Sequence, residues 1–273
     1  MPRREPPSAL SRLREIRRLV DVTPRGLIVD VDGTISEIAP APAQARVSAI
    51  CREHLRALLD TFDVVAAVSG RSVVELQRMI GLDRLVLVGN HGLERWEGGR
   101  LWVASAAKRA AAMLPGVLDQ IETQLGPISG LILERKTYGL AIHYRSAANP
   151  EAVRQSIMEA MRAISYSSHF SIQEGRKVVE LRPRGRIQKG WAVRDLIRRH
   201  GVRCVIYLGD DVTDADAFGV IRRSRRQGQI QGVTIAVLNP ETPSDILNSA
   251  DLALEGVGEV ESFLEKLLDG SAC

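Results

Sequence analysis

The sequence predicts an α/β protein built on a doubly wound parallel sheet, with a smaller α+β domain inserted into it. Five short apolar runs have the length of buried strands, and helical periodicity appears between them. A stretch of more than a hundred residues between the third and fourth runs has a pattern of its own. Apolar runs without alternation are typical of parallel strands covered on both faces, and their alternation with helices indicates the doubly wound arrangement.

The five apolar runs predict the strands of the larger domain. They cover residues 27–29, 64–68, 85–88, 205–208 and 233–238. The helices predicted between and after these strands cover residues 46–60, 72–80, 190–200 and 258–268. The second of these helices opens with Ser72 and Glu75, which form a capping box, and it stops at Gly81. The third stops at Gly201 in the same way.

The long stretch between the third and fourth strands predicts the inserted domain. Its order is helix, strand, strand, helix, strand, strand, over residues 106–125, 130–135, 139–145, 150–163, 169–174 and 177–182. A surface loop tolerates such an insertion because the entropy of loop closure grows slowly with length. The chain is thus expected to divide into an N-terminal arm, a discontinuous core and an inserted cap: residues 1–25, 26–105 with 185–273, and 106–184.

The net charge of +4 belongs to the N-terminal arm. Residues 1–25 hold seven arginines and three acidic residues, and the rest of the chain is balanced. Because aromatic residues are only 4% of the chain, stacking platforms are scarce, and we expect no nucleic-acid partner. Within the arm, apolar residues recur at helical spacing and predict a short helix packed on the body; a transit peptide, a docking element and a membrane-surface element are the alternatives. These apolar residues are Leu10, Leu13, Ile16, Leu19 and Val20.

Composition and cysteine usage indicate a protein of a reducing compartment. Apolar residues at 45% and charged residues at 26% are typical of a globular domain. No window of 18 apolar residues and no secretory signal is found, so we expect no membrane association. The cysteines, Cys51, Cys204 and Cys273, are too far apart for a metal clip and too few for a disulfide framework. We therefore expect a cytoplasmic location.

Polar residues follow the predicted strands at the point where each strand ends. Asp30, Ser69, Asn90, Asp210 and Asn239 each come directly or nearly directly after an apolar run. The carboxyl ends of parallel strands meet at one edge of a sheet, which is where ligands bind in open α/β folds. The sequence therefore predicts a ligand site at this edge.

The residue types at this edge predict a magnesium and phosphate site. Asp30 and Asp32 can both approach one ligand if Gly33 permits an unusual turn just past the strand. With Asp210 they form the kind of oxygen-rich set that Mg²⁺ prefers. Ser69 stands at a strand-to-helix junction, where backbone N–H groups receive phosphate oxygens. Lys189, one of only five lysines in an arginine-rich chain, would neutralise a phosphoryl oxygen.

In this order the motifs resemble the four-motif signature of the haloacid dehalogenase superfamily of phosphatases. The signature is carried by Asp30-x-Asp32-Gly33-Thr34, Ser69, Lys189 and Gly209-Asp210-Asp211-x-x-Asp214. A closer resemblance, to trehalose-6-phosphate phosphatases, covers most of residues 26–220. It is carried by Val68-Ser-Gly-Arg71, Gly89-Asn-His-Gly-Leu-Glu94, Tyr138-Gly-Leu-Ala-Ile-His-Tyr-Arg145, Glu174-Gly-Arg-Lys-Val-Val-Glu180 and Tyr207-Leu-Gly-Asp-Asp-Val-Thr-Asp-Ala-Asp-Ala-Phe218.

The resemblance implies a role for each residue of the edge. Asp30 would be the nucleophile that forms an aspartyl-phosphate, and Asp32 the general acid and then the general base. Mg²⁺ would be held by Asp30, the Asp32 backbone carbonyl and Asp210. Asp214, with Asp211 as a second candidate, would position Lys189 or a metal-bound water. The residues implied in phosphate binding are Asp30, Asp32, Gly33, Thr34, Ser69, Gly70, Arg71 and Lys189.

The resemblance also implies that the inserted domain is a cap over the sugar. Sugar hydroxyls call for hydrogen-bonding groups, and unpaired groups penalise the wrong sugar. The implied substrate contacts are Asn90, His91, Lys136, His143, Arg145, Glu174, Lys177 and Glu180. Glu174, Lys177 and Glu180 flank one predicted hairpin, which would bring them near one edge. Hinges near residues 105 and 185 would close the cap and share control of affinity and turnover.

The activity implied is Mg²⁺-dependent hydrolysis of trehalose 6-phosphate in trehalose biosynthesis. Sucrose-, glucosyl- and mannosyl-phosphate phosphatases share the architecture and remain alternatives. A phosphomutase or phosphotransferase on the same scaffold is a third possibility, and a non-catalytic sugar-phosphate sensor is disfavoured because Asp30, Asp32 and Lys189 are all present. We expect a monomer acting on a small-molecule sugar phosphate. A synthase of the same pathway is a partner that the resemblance allows.

Overall fold

The structure, a computed structural model, describes residues 6–39, 42–163, 169–175, 177–185, 188–240, 242 and 244–269. The strands of this part of the chain are β1 (Arg25–Val29), β2 (Val64–Val68), β3 (Val86–Gly89), β4 (Glu94–Glu97), β5 (Arg100–Val103), β6 (Ile132–Lys136), β7 (Gly139–His143), β8 (Phe170–Gly175), β9 (Val178–Pro183), β10 (Cys204–Gly209), β11 (Gln231–Leu238) and β12 (Leu252–Glu255). The helices are α1 (Leu13–Val20), α2 (Ala49–Leu58), α3 (Val73–Ile80), α4 (Ser105–Leu125), α5 (Pro150–Ala163), α6 (Lys189–Arg199), α7 (Val212–Arg226), α8 (Ser244–Ser249) and α9 (Gly256–Asp269).

The chain divides into two compact units. The first comprises Met1–Trp102 and Gln188–Cys273, and the second is Val103–Ile187. The sequence led us to expect the inserted domain at residues 106–184 and a separate arm at residues 1–25, which here belongs to the first unit.

The first unit is a doubly wound sheet of eight strands in the order β12-β11-β10-β1-β2-β3-β4-β5. Neighbouring strands from β12 to β3 run parallel, and β4 runs antiparallel to β3. Successive residues of β1 alternate between two cores: Leu27 and Val29 pack with α2, α3 and α9, whereas Ile28 packs with α6 and α7. This burial on both faces is why the parallel strands are continuous apolar runs, and the predicted fold class is confirmed.

The second unit is a four-stranded antiparallel sheet in the order β6-β7-β9-β8. The helices α4 and α5 pack on one of its faces, where Leu140, Ile142, Val179 and Leu181 are buried with apolar residues of both helices. The other face carries polar side chains. The predicted order of elements in the insertion is therefore the observed order.

Several local features of the sequence have the expected structural consequences. Ser72 and Glu75 form the predicted capping box at the start of α3, and Gly81 ends that helix in the left-handed conformation with φ of 62°. The N-terminal arm forms α1, whose Ile16 and Val20 are buried against the first unit. None of the helices in the described ranges combines the length and apolar character that a membrane crossing needs.

Candidate active site

Asp30 lies at the carboxyl edge of the sheet, immediately after β1. Its backbone N–H donates to the Leu208 carbonyl at 2.9 Å, which fixes the residue beside β10. The carboxylate is 4% exposed, and its Oδ1 lies 2.8 Å from the Lys189 ammonium. Burial raises the pKa of Asp30 well above its ordinary value, against the opposing effect of Lys189 and with the help of neighbouring carboxylates. The charged form of Asp30 is therefore disfavoured even with Lys189 beside it.

Lys189 supplies the buried positive charge of the site. It is the first residue of α6, and its ammonium bridges Asp30 and Asp214 at 2.8 and 2.9 Å. Burial lowers the pKa of Lys189, but the two carboxylates outweigh this effect and raise the pKa above its ordinary value. The ammonium therefore stays charged and fixed.

Asp214 is held by donors on both oxygens. Its Oδ1 accepts from Lys189 Nζ at 2.9 Å and from the Tyr207 hydroxyl at 2.6 Å, and its Oδ2 accepts from the Asp211 N–H at 3.1 Å. The side chain is fully buried. A carboxylate satisfied in this way positions Lys189, as the sequence resemblance implied, and has little capacity left for a metal ion.

Asp210, unlike Asp214, is only partly satisfied by hydrogen-bond donors. Its Oδ2 accepts from Asn239 Nδ2 at 3.2 Å, while its Oδ1 is buried and has no hydrogen-bond partner among the described residues. Burial, reinforced by Asp214, raises the pKa of Asp210 to about 6. Carboxylate oxygens of Asp30, Asp210 and Asp214 lie within 4.8 Å of one another. The orphaned oxygen and this oxygen-rich set fit a Mg²⁺ ion held by Asp30 and Asp210.

Gly33 lets the loop after β1 approach Asp210. Its φ is 79°, and a Cβ at this position would lie 2.0 Å from Asp210 Oδ2. Only a glycine fits both the backbone conformation and the space. The neighbouring Thr34 is fully buried, and its Oγ1 has no hydrogen-bond partner among the described residues, so its phosphate-binding role stays a prediction.

Asp32 forms a paired contact with Arg71. The Arg71 Nε donates to Asp32 Oδ2 and the Nη2 donates to Oδ1, each at 2.7 Å. The hydrogen bonds to Asp32 favour the charged guanidinium, and burial opposes it. The net effect raises the pKa of Arg71. Sequence reasoning assigned Arg71 to phosphate and missed this pairing.

The predicted phosphate loop lies between β2 and α3. The Ser69 N–H donates to the Val88 carbonyl at 2.9 Å, and the Arg71 N–H donates to Ser69 Oγ at 3.2 Å. Asn90 and His91 brace this loop with N–H groups that donate to the Arg71 and Ser69 carbonyls at 2.8 and 3.0 Å. Both residues have positive φ, 49° and 55°, which is uncommon without glycine and typical of functional loops. The His91 ring lies against Gly70, where a Cβ would be 2.8 Å from it.

These residues open into one cavity of about 380 Å³ within the first unit. Its walls combine the predicted site residues with Asn239, Asp211 and two residues that sequence reasoning did not single out, Ile38 and Thr213. The predicted residues in its lining are Asp30, Asp32, Ser69, Gly70, His91, Lys189 and Asp210. The cavity thus collects acids, a hydroxyl and an ammonium around a space large enough for a phosphate ester.

In the second unit, three predicted sugar contacts share the polar face of the sheet. Lys136 Nζ lies 3.4 Å from Glu180 Oε1, and His143 Nε2 lies 2.8 Å from Glu134 Oε2. Burial favours the neutral form of Glu180, but Arg182 and Lys136 together outweigh it and lower the pKa of this carboxyl. Glu134 also belongs to this network. Sequence reasoning missed it, because a single glutamate on a predicted strand is usually a solvated surface residue.

The predicted sugar contacts Glu174 and Glu180 lie on opposite faces of the sheet. Glu174 lies opposite Val179 of the helix-covered face, and it contacts Arg154 of α5 at 2.8 Å, whereas Glu180 lies opposite Gln173 on the other face. Successive residues of a strand point to opposite faces, so one hairpin cannot gather both glutamates on one side. Lys177 lies over the Tyr144 ring at 5.9 Å. Arg145 is exposed in the turn after β7.

The sheet order places the aspartates that follow β1 and β10 at one edge, in keeping with the haloacid dehalogenase-like class whose motifs the sequence resembles. Within the class, the chain belongs to the trehalose-phosphatase family, whose model matches residues 28–253. The resemblance found in the sequence is confirmed.

Related sequences extend beyond this chain. A trehalose-phosphate phosphatase of Mycobacterium avium is 32% identical over 246 residues, which are 88% of this chain and 61% of that protein. An uncharacterized glycosyl hydrolase of Mycobacterium tuberculosis is 32% identical over 269 residues, which are 96% of this chain and 19% of that protein. The chain therefore spans less than two thirds of the length of these relatives.

Solved structures show the same fold. Trehalose-6-phosphate phosphatase of Aspergillus fumigatus superposes with a TM-score of 0.72 at 21% identity and covers 97% of this chain and 99% of its own. The C-terminal domain of the Candida albicans trehalose-6-phosphate phosphatase gives 0.73 at 22% identity, with the same coverage. A haloacid dehalogenase-like hydrolase of Bacteroides thetaiotaomicron gives 0.61 at 15%, covering 88% and 98%.

Proposed function

We propose that the protein is a Mg²⁺-dependent phosphatase that hydrolyses trehalose 6-phosphate through an aspartyl-phosphate on Asp30. The observation that carries the proposal is the buried Asp30 carboxylate, paired with Lys189 and placed beside the unpartnered Oδ1 of Asp210. The family and the names of the mycobacterial relatives support trehalose 6-phosphate as the substrate.

In the first half-reaction, an Asp30 oxygen attacks phosphorus and the bond from phosphorus to the sugar oxygen breaks. Asp32 gives a proton to that oxygen, so the sugar leaves as an alcohol. In the second half-reaction, a water oxygen attacks the same phosphorus while the Asp32 carboxylate takes the proton of the water. The acyl-phosphate bond breaks, which releases phosphate and restores Asp30.

The other residues of the site are proposed to position the phosphoryl group and to neutralise its charge. Lys189 faces the phosphoryl oxygens with an ammonium kept in place by Asp214, and the Ser69 hydroxyl with the Gly70 N–H offers donors to the same group. Asp30, Asp210 and the Asp32 carbonyl would hold Mg²⁺, which supplies charge neutralisation for the phosphoryl group when bound. Gly33 and Thr34 were expected to bind phosphate; Gly33 is proposed to shape this loop, and Thr34 remains a proposed phosphate contact.

The second unit is proposed to recognise the sugar. Lys136, His143 and Glu180 on its polar face are the best supported contacts, because they form one charged network. Asn90 and His91 are proposed to reach the substrate from the first unit; Arg145, Glu174 and Lys177 lie off that face and carry less support. Other sugar phosphates remain the alternative substrates, and transfer of phosphate to a second sugar would indicate a mutase.

We also propose that the enzyme works as a monomer in the cytoplasm. The buried thiols of Cys51 and Cys204 are free, and burial raises the pKa of Cys204 to about 11, so this thiol stays protonated and inert. Free buried thiols are compatible with a reducing compartment.

The proposal is tested by phosphate release from a panel of sugar phosphates with and without Mg²⁺. We expect rapid turnover of trehalose 6-phosphate only when Mg²⁺ is present, with slower turnover of sucrose, glucose and mannose phosphates. Preference for another member of the panel would contradict the substrate, and full activity after exhaustive removal of divalent ions would contradict the metal.

The nucleophile is tested with Asp30→Asn. We expect loss of at least about 10³-fold in activity, because the amide cannot form the covalent intermediate. The folded state should be retained or stabilised, since burial already disfavours the charge of Asp30. Asp83→Asn, at an exposed position, is the matched control. An Asp30→Asn protein with the activity of the control would exclude Asp30 as nucleophile.

A further inference from the structure

Arg71 and Asp32 make the best-matched ion pair at the mouth of the active site. Two parallel N–H groups of the guanidinium reach the two carboxylate oxygens at 2.7 Å each. The Arg71 side chain is only 13% exposed, whereas Asp32 is 38% exposed. A two-point contact fixes the plane of a carboxylate as well as its position, which a single lysine contact does not.

The backbone of Arg71 is fixed from both sides. Its N–H donates to Ser69 Oγ at 3.2 Å, and its carbonyl accepts from the Asn90 N–H at 2.8 Å. The next residue, Ser72, is the N-cap of α3. The guanidinium therefore extends from a rigid junction and is a suitable anchor for a neighbouring side chain. A second acidic neighbour, Glu75, is 3.9 Å away and competes weakly.

We infer that Arg71 is a positioning residue that sets the orientation of the Asp32 carboxylate for proton transfer. The inference rests on the proposed function, in which Asp32 protonates the departing oxygen and then takes a proton from water. An unanchored Asp32, on a loop and partly exposed, would sample several rotamers. Arg71 confines it to one while leaving the carboxylate at the cavity wall, where Asp32 is found.

This role predicts an effect that depends on the leaving group. When the bond from phosphorus to a sugar oxygen breaks, that oxygen needs the proton of Asp32 because an alkoxide is a poor leaving group. When 4-nitrophenolate leaves, it departs without a proton. Misplacing Asp32 therefore slows the first ester far more than the second, whereas losing a phosphate contact or weakening the fold slows both alike.

The experiment measures kcat/KM for wild type and Arg71→Gln over phosphate monoesters of rising leaving-group pKa, from 4-nitrophenyl through phenyl to sugar phosphate. The ratio kcat/KM reports the first half-reaction only. We expect a loss of about 10- to 100-fold for the sugar phosphate and less than about threefold for 4-nitrophenyl phosphate. Arg78→Gln, which replaces an exposed arginine of the helix α3 that follows Arg71, should leave the whole series unchanged.

Two further variants test whether the effect of Arg71 comes from orienting Asp32, from the charge of Arg71 or from the stability of the fold. Arg71→Lys keeps the charge but offers no parallel pair of donors, so it should show a weaker form of the same leaving-group dependence. In an Asp32→Asn background, Arg71→Gln should add no further dependence, because the group that it positions is already absent.

A loss of equal size across the series would overturn the inference, and so would full activity of Arg71→Gln toward the sugar ester. If Arg71→Gln adds leaving-group dependence in the Asp32→Asn background, that result would overturn the inference as well. These outcomes differ from failure of the proposed function. If wild type prefers another sugar ester, the series still tests Arg71, whereas hydrolysis of none of the esters would reject the phosphatase itself.

Discussion

At the residue scale, the site depends on a chain of buried contacts behind the nucleophile. Tyr207 donates to Asp214, Asp214 fixes Lys189, and Lys189 faces Asp30. Burial raises the pKa of Tyr207 well above its ordinary value, and Asp214 adds to the rise, so the phenol remains a neutral donor. In a region of low polarity, each donor to a buried carboxylate contributes more than it would in water.

Tyr207→Phe tests this chain. The ring and its edge-to-face contact with Phe218 are kept, while Asp214 loses one of its donors. We expect the free energy of unfolding to fall by about 1–3 kcal/mol and kcat to fall by about tenfold, as Lys189 loses part of its support. Thermal unfolding and steady-state kinetics measure the two effects. Wild-type kcat at reduced stability would assign Tyr207 a structural role alone.

Only part of the residue-scale picture follows from the sequence. Strand ends identify Asp30 and Asp210 as candidate site residues, because ligands bind at the carboxyl edge of such a sheet. The scarcity of lysine draws attention to Lys189. The pairing of Arg71 with Asp32 does not follow, since it joins side chains of two loops 39 positions apart. The role of Tyr207 does not follow either, because this residue lies inside an apolar run and is expected to be a core residue.

At the element scale, the N-terminal arm is a packed helix rather than a free basic segment. Ile16 and Val20 of α1 are buried, and Arg17 donates to the Lys266 carbonyl of α9 at 2.6 Å. Arginines 12, 14 and 18 face solvent. The apolar spacing predicted this arrangement, and the charge count alone would have suggested the opposite.

Ile16→Ala tests the contribution of this helix. Truncating a fully buried isoleucine leaves a cavity, so we expect a loss of about 2–5 kcal/mol in the free energy of unfolding. Activity per folded molecule should be unchanged, because α1 contributes no residue to the cavity lining. Arg14→Ala, exposed on the same helix, should change stability by less than about 0.5 kcal/mol. Equal denaturation midpoints for the two variants would show that the packing of α1 contributes nothing.

The elements that the sequence missed have weak patterns for physical reasons. Three of the four residues of β4 are charged, and β5, at the edge of the sheet, is only four residues long and mostly exposed, so neither strand shows the apolar run of a buried strand. β12 has four residues and stops at Glu255, too short for a periodicity argument. The five buried strands were predictable because burial on both faces forces a continuous apolar run.

At the scale of the whole molecule, the two units have separate hydrophobic cores. The first unit has two, one on each face of its sheet. The core of the second is formed by residues of its own helices and strands, from Ala110 to Leu181. Both edges of its four-stranded sheet and both covering helices come from one continuous segment. A continuous segment with a hydrophobic core of its own has the properties of a domain that folds independently.

We therefore predict that a fragment of residues 103–187 folds alone. At 85 residues it exceeds the size at which a single core becomes marginal. Circular dichroism should show mixed helix and strand content, with one cooperative thermal transition at reduced stability. Leu140→Asp in the same fragment should abolish the transition, because it places a charge in the centre of this core. A gradual, non-cooperative melt of the unmutated fragment would mean that its core requires the rest of the chain.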